Sequence, residues 1–314
     1  MSIAENRSRE IAADLSQRFL ALVNPAAGGG RSSKLAAPAL ARLREGGLAI
    51  DVTTTKSPGH AAELARQGYQ QGYRHFIAIG GDGTAHEILN GIYSGTSTAP
   101  RISLGFLPLG TGNSFLRDFS TDGAESSIRS LLAGRSRPAD LLRLRHAAGE
   151  IYSFNLISVG FTADVGALTN RYFKFLGPLG YLLGVLVRVI QLHRRAFPLR
   201  CDANTDWDTR PCLFLTFSNS KFTGGTMMIA PNADATDGMI EFVRWGPIGR
   251  LGLIGMLPKL YDGSHISHPL ASRCAVRRVE FDLATPVDVM IDGEIARVAC
   301  RSIDIIPGAV DVYV

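Results

Sequence analysis

Between Phe19 and Phe106, apolar runs of strand length alternate with segments of helical spacing: FLALV then SKLAAPALARL, LAIDVT then HAAELARQ, HFIAIGG then TAHEILNGIY, and finally ISLGFLP. Few folds accept that order. Strands that alternate with helices predict a parallel sheet covered on its faces. In open sheets of this kind, ligands bind beyond the carboxyl ends of the strands. The glycine-rich stretches of this half all fall at that edge.

After the helix-like ESSIRSLLAG the pattern changes to strand-like runs separated by polar turns: DLLRLR, EIYSFNLISVG, FPLRCDA, CLFLTFSNS, GMIEFVRW, AVRRVEFDL, PVDVMIDGE and SIDIIP. The expected fold is therefore an α/β amino-terminal domain with a parallel sheet, followed by a mostly β, sandwich-like second domain. A helical insertion over Ala163 to Arg195 interrupts the second domain, and LGLIGMLPKL predicts a shorter one. The boundary falls near Arg135 to Ala139, where SRPA breaks the periodicity. The expected domains are 1–137, rejoined by 304–314, and 138–303.

Three turns carry the chemical signal: NPAAGGGR (Asn24–Arg31), GGDGT (Gly80–Thr84) and PLGTGN (Pro108–Asn113). Each follows a predicted strand and precedes a predicted helix. A phosphate chain needs bare backbone N–H groups at close range, which glycine permits, and the positive end of a helix favours the negative charge. One such turn is more often a plain connection, but three on one edge suggest a nucleotide. None matches a Walker A loop or the dinucleotide GxGxxG pattern. Asp82 lies inside the second turn, where a carboxylate would repel phosphates unless a metal ion intervened. It is a candidate to position a metal or a hydroxyl, or else it caps the following helix, a role Thr84 could equally fill.

GGDGT with Glu87 three residues on, NPxxG near the amino terminus and PLGTGN about thirty residues later resemble the diacylglycerol kinase catalytic-domain family. That family includes bacterial lipid kinases, sphingosine kinases and ceramide kinases. The resemblance continues through NLISVGFTAD, TDGMIE and VMIDGE and covers most of the chain. NAD kinases share a GGDGT-like turn, but PLGTGN and the late DGE fit them less well. The resemblance implies ATP bound between an amino-terminal α/β domain and a carboxy-terminal β-sandwich domain, with transfer of the γ-phosphate to a lipid hydroxyl. It implies ATP contacts at Asn24, Pro25, Gly28, Thr55, Gly80, Gly81, Gly83, Thr84, Glu87, Gly110, Thr111 and Asn113. It also implies Glu294 as the base that accepts the hydroxyl proton, and a Mg²⁺ loop at Asp234, Asp237 and Met239. On its own a DGE turn reads as an exposed hairpin, and an Asp-Gly pair as a tight turn.

The chain departs from the family pattern at three places. His86 replaces an Asn, Ser114 replaces an Asp, and Gly166 stands where long-chain-base kinases tend to place a second acid. His86 reads either as a phosphate contact or as a locally packed histidine. An acidic pair would suit an amine-bearing lipid, so its absence favours a neutral one such as diacylglycerol. A sphingosine- or ceramide-type kinase, an NAD kinase-like enzyme and a catalytically silent nucleotide- or lipid-binding regulator are the alternatives. The net charge of +5 and pI near 9.2 permit an anionic partner without selecting one, and no nucleic-acid partner is expected. Basic residues Arg171, Lys174, Arg188, Arg194, Arg195 and Arg200 alternate with apolar runs, a pattern that fits contact with an anionic membrane surface. The apolar stretch GPLGYLLGVLVRVIQL is shorter than the ~20 residues of a membrane span. Four scattered cysteines argue against a zinc site or a disulfide framework. The location expected is cytoplasmic, with contact at the inner face of the membrane.

Overall fold

The computed structural model describes residues 14–94, 101–110, 112–120, 122–173 and 178–314. Two compact units divide the chain, 1–139 with 308–314, and 140–307. In chain order the first half contains β1 (Phe19–Val23), α1 (Arg31–Glu45), β2 (Ile50–Thr54), α2 (His60–Gln71), β3 (His75–Gly80), α3 (Asp82–Tyr93), β4 (Ser103–Pro108) and α4 (Gly123–Leu132). The second half continues with β5 (Ser136–His146), β6 (Gly149–Ser153), β7 (Leu156–Gly160), α5 (Phe161–Leu168), α6 (Pro178–Ile190), β8 (Leu199–Cys201), β9 (Phe214–Ser218) and the two-residue pair β10 (Phe222–Thr223) and β11 (Met227–Met228). It ends with β12 (Ile240–Trp245), α7 (Arg250–Met256), β13 (Ala271–Val276), β14 (Arg278–Phe281), β15 (Val287–Ile291), β16 (Glu294–Val298) and β17 (Cys300–Tyr313). The chain crosses between units within β5 and again within β17.

The sheet of the first unit runs β2-β1-β3-β4 and is completed by the last residues of β17, with every pairing parallel. Apolar runs such as FLALV and HFIAIG are buried along nearly their whole length, as strands covered on both faces must be. One face packs on α1 and α4 through Ala39, Leu43, Ile128 and Leu131. On α3, a Cβ added to Gly91 would meet the Ala62 carbonyl of α2 at 2.0 Å, so glycine lets those two helices touch backbone to backbone. The strand order reverses between β1 and β3. Parallel α/β sheets open a crevice at such a switch point.

The second unit holds two sheets. One is a six-stranded antiparallel sheet in the order β13-β12-β9-β7-β15-β16. The other runs β6-β5-β17-β14-β8. Alternate side chains of both meet in a core that includes Leu142, Phe217, Phe242, Val279, Val289 and Ile303. The opposite face of the six-stranded sheet is buried by α5, α6 and α7 through Phe161, Val185, Val189 and Leu253 against Phe214 and Trp245. This is the parallel α/β unit followed by β-sandwich expected from the sequence.

Candidate active site

Register aligns the loop-bearing strand ends of the first unit. Val23 lies beside Thr54 and Ile79, and Gly80 beside Pro108, so Asn24, Thr55, Gly81 and Leu109 emerge together at the carboxyl edge. The loops then lock onto one another. The Gly110 N–H donates to the Gly80 carbonyl at 2.8 Å, and a Cβ on Gly110 would stand 2.4 Å from the Gly81 Cα. Gly28 adopts φ +62°, and a Cβ there would meet the Leu109 carbonyl at 2.4 Å. Any side chain at either position would force the three loops apart.

Polar side chains of the motif are spent on holding this arrangement. The Asn24 side-chain amide donates to Thr84 Oγ1 at 3.3 Å, while its Oδ1 accepts the Ala26 N–H. Thr84 is buried, and so is Thr55, whose N–H donates to the Val23 carbonyl. The Asn113 amide reaches back to the Pro108 and Gly110 carbonyls, closing the third loop on itself. Pro25 is half-buried between Asn24 and the glycine run. Thr111 lies outside the described residues.

Several expectations need correction. Neither Asp82 nor Thr84 caps α3: the cap position is Gly81, with no side-chain hydrogen bond, and both residues lie inside the first turn. Asp82 Oδ2 instead accepts the Ser114 N–H at 2.7 Å, tying the second loop to the third. The third turn opens a short 3₁₀ segment, Phe115–Asp118, and an α-helix begins only at Gly123. Asn113 at φ +50° redirects the chain there. Glu87, expected to contact the nucleotide, gives Oε1 to the Gly59 N–H and Oε2 to the Ala61 N–H, capping α2. The carboxylate thereby fixes the 56–60 turn that follows Thr55. His86 packs beside Asn90, whose amide donates to the His86 carbonyl. Gly83 lies within α3, and its N–H falls in the helix's unsatisfied first turn.

In the second unit Glu294 opens β16 directly opposite Ile291. The two-residue connection, Asp292 at φ +51° and Gly293 at φ +93°, has the left-handed pair of a type I′ hairpin. Glu294 is exposed. Asp292, which sequence reasoning did not single out, anchors the turn: its carboxylate accepts the Ser153 hydroxyl at 2.5 Å and the N–H groups of Phe154, Asn155 and Leu156 at 3.1, 2.9 and 3.3 Å.

The Asp234–Met239 loop is a second acidic element of this unit. Asp234 Oδ1 accepts from the Thr236 N–H and hydroxyl, and Asp237 Oδ1 accepts the Met239 N–H. Asp140, buried beneath the loop and also missed by sequence reasoning, accepts the Gly238 N–H at 2.7 Å. Burial, and then the charges of Asp234 and Asp140, push the Asp237 carboxyl above its ordinary value. A cation would relieve that repulsion, and the all-oxygen donor set suits a hard divalent ion. Among the described residues no three His, Cys, Asp or Glu side chains converge as a metal cage. Such a site would have to complete its shell with backbone carbonyls and water, as magnesium sites commonly do.

Most of the basic stretch is tied down. Arg188 donates to the Asp164 carbonyl, Arg194 to the Ile248 carbonyl, Arg195 to the Asp164 carboxylate and Arg200 to Glu280. Arg171 lies over the Tyr172 ring, and Lys174 lies outside the described residues. Exposed apolar side chains stand out more here: Ile190 is 70% and Leu251 87% exposed, with Leu186 and Ile254 beside them in α6 and α7. Arg250 at the start of α7 donates to the Val189 and Ile190 carbonyls and so joins the two helices. No helix among the described residues is long and apolar enough to cross a membrane.

Comparison with known proteins extends the geometry. The model of the diacylglycerol kinase catalytic domain matches residues 18–144, and that of the YegS C-terminal NAD kinase beta sandwich-like domain matches residues 155–314. A protein of Mycobacterium tuberculosis named "Diacylglycerol kinase" is 27% identical over 315 residues, spanning 99% of this chain and 98% of that one. A protein of Pseudomonas aeruginosa named "Probable lipid kinase YegS-like" is 31% identical over 277 residues, 88% of each chain. The crystal structure of a diacylglycerol kinase from Bacillus anthracis superposes with a TM-score of 0.68 at 18% identity, over 95% of this chain and 96% of that one. At that identity the likeness is one of fold.

Proposed function

Because the chain belongs to the diacylglycerol kinase catalytic-domain family of lipid kinases, we propose that it transfers the γ-phosphate of ATP to the hydroxyl of a neutral lipid, most simply diacylglycerol. The observation that carries this reading is the interlock of three glycine-bearing loops at the switch point of a parallel sheet, where Gly28 and Gly110 leave no room for a Cβ. Backbone N–H groups of these loops and the first turn of α3 would bind the phosphates. Asn24, Thr84, Asn113 and Asp82 would hold the loops in register, with Pro25, Thr55, Gly80, Gly81 and Gly83 lining the same edge. Glu294 would accept the proton of the attacking hydroxyl. Asp237, with Asp234 and the Met239 backbone, would hold Mg²⁺, which when bound supplies positive charge to an acidic loop. The first unit would be the nucleotide-binding domain and the second the lipid domain.

The choice of a neutral acceptor rests on Asp164 and Gly166. Asp164 is ion-paired with Arg195, and a Cβ on Gly166 would lie 2.6 Å from Ile295 Cδ1. One acid is already neutralised and Gly166 supplies no second, so an amine-bearing long-chain base finds no acidic pair. The exposed Leu186, Ile190, Leu251 and Ile254 support peripheral contact with the membrane that holds such a lipid.

The test is transfer of radiolabelled phosphate from ATP to diacylglycerol, sphingosine, ceramide, phosphatidylglycerol and NAD, with and without Mg²⁺. Labelled diacylglycerol in the presence of the ion is expected. Labelling of sphingosine or NAD alone would reject the acceptor, and no labelling despite ATP binding would reject transfer.

A further inference from the structure

Two of the four cysteines, far apart in sequence, meet in space. Cys201 ends β8 and Cys274 lies on β13, and these are edge strands of the two sheets of the second unit. Residues paired across antiparallel strands point to the same face. Cys201 stands opposite Val279, and Cys274 opposite Phe242; both partners belong to the core between the two sheets. Each thiol is therefore directed into the space between the sheets at its open margin, one from each side, and both line the same cavity. Asp202 fixes the approach. Its N–H donates to the Arg278 carbonyl, and its carboxylate accepts the N–H groups of Arg277 and Arg278 at 2.8 and 2.9 Å, clamping the end of β8 to the corner between β13 and β14.

Access separates this pair from the other two thiols. Cys274 is exposed and Cys201 partly so, whereas Cys212 and Cys300 are buried. A cavity of about 550 Å³, lined in part by Arg210, Arg273 and Asp208, reaches both thiols. The neighbouring Cys201 thiol lowers the Cys274 thiol from its ordinary value. The assignment of roles follows from exposure: the more accessible Cys274 attacks, and its neighbour resolves.

We propose that Cys201 and Cys274 are a site of reversible oxidative modification, a dithiol that hydrogen peroxide converts to a disulfide joining the edges of the two sheets. The Cys274 thiolate attacks one peroxide oxygen, the O–O bond breaks, and hydroxide leaves, giving a sulfenic acid. The Cys201 sulfur then attacks that sulfenic sulfur. The S–O bond breaks, the Cys201 proton leaves with the oxygen as water, and the S–S bond forms. Two thiols lose two electrons to one peroxide, and a dithiol reductant reverses the step. β13 and the Glu294-bearing β16 are opposite edges of the six-stranded sheet, so the pair is separate from the proposed catalytic base.

The experiment treats the reduced full-length chain with a slight excess of hydrogen peroxide near neutral pH, then digests it without reductant for mass spectrometry and counts thiols. The expected result is a single cross-linked peptide joining Cys201 to Cys274, a fall from four titratable thiols to two, and full reversal by dithiothreitol. In Cys201→Ser, dimedone should trap Cys274 as a sulfenic acid, and in Cys274→Ser peroxide consumption should slow at least tenfold. Phosphate transfer by reduced Cys274→Ser should match the wild type. Wild-type Cys274 advancing to sulfinic acid without a cross-link would overturn the proposal, as would a thiol count of four after exposure that oxidises free cysteine; neither outcome depends on how the variants fold.

Discussion

Replacing Asp292 tests whether the Glu294 hairpin is held by one carboxylate. The side chain accepts four hydrogen bonds, from Ser153, Phe154, Asn155 and Leu156, and all four donor residues are buried. Each buried donor left without a partner costs about 1–3 kcal/mol, and hydrogen bonds to a charged acceptor sit at the strong end. Water entering the vacated space can satisfy some of them, so the four do not add. Asp292→Ala should cost about 3–5 kcal/mol, of which ~1 kcal/mol is the backbone penalty of alanine at φ +51°. Asp292→Gly removes that penalty and should recover about 1 kcal/mol. Asp292→Asn keeps one acceptor oxygen for three of the donors but sets an NH₂ against the Phe154 N–H, so it should fall between wild type and alanine.

The assay is urea unfolding followed by tryptophan fluorescence. The only two tryptophans, Trp207 and Trp245, both lie in the second unit, and Trp245 is buried in its helix-covered core. The signal therefore reports the unit that carries the hairpin. An alanine variant within 1 kcal/mol of wild type, or an asparagine variant as unstable as alanine, would refute the claim that the carboxylate anchors this turn.

Gly110→Ala should weaken ATP binding at least tenfold and cost about 1–3 kcal/mol by overpacking, because its Cβ would fall 2.4 Å from the Gly81 Cα; calorimetric titration with ATP and a melting curve check both. Glu294→Gln should lower kcat by ~10²-fold or more with ATP affinity intact, and unchanged turnover in the transfer assay would reject its role as base. Asp208 is held at about 2, first by its hydrogen bonds to the Arg210 side chain. A carboxyl depressed below its unfolded value of about 3.9 stabilises the fold above that value and ceases to do so as pH falls through the folded one. Asp208→Asn should therefore flatten the stability loss between about pH 4 and pH 2, and an unchanged acid limb in the unfolding profile would show that the Arg210 pair contributes nothing there.

The architecture was legible because its signal is periodic. The alternation from Phe19 to Phe106 predicts the parallel sheet, and the shift to short apolar runs after Gly134 predicts a mostly β second domain, since both follow from which faces must be buried. Glycine at Gly28 and Gly110 was legible as a demand for close approach. What the demand was for was not, because the neighbours that exclude a Cβ come from other loops: Leu109 for Gly28 and Gly81 for Gly110. Asp140 and Asp292 were missed for the same reason. Asp292 is visible locally as the first half of a turn, but its acceptors' partners are 136 to 139 residues away. The part Glu87 plays in capping α2 was not legible, because its two partners, Gly59 and Ala61, lie at the start of the preceding helix.

A common physical reason underlies these side-chain roles. A bound phosphate chain is recognised by N–H donors, so side-chain oxygens in the surrounding loops are poorly suited to face it and serve better by holding backbone. Asn24, Thr84, Asp82 and Asn113 hold loop to loop or a loop to itself, Glu87 holds a helix end, and Asp292 does the same work for the hairpin. Positioning residues and a proton acceptor then differ in kind when mutated. Loss of a loop holder such as Asn24 or Asp82 exposes or distorts the N–H array itself, so stability and ATP affinity should decline together across a series of such variants. Loss of Glu294, exposed and at a strand end, removes the proposed proton acceptor without disturbing that array, so turnover should fall while stability and ATP affinity stay level. A plot of ΔG of unfolding against ATP affinity should place the holders on one descending line and Glu294→Gln at the wild-type point. A Glu294 variant that falls on the line with the holders would mean that the hairpin is structural and that the proton acceptor lies elsewhere.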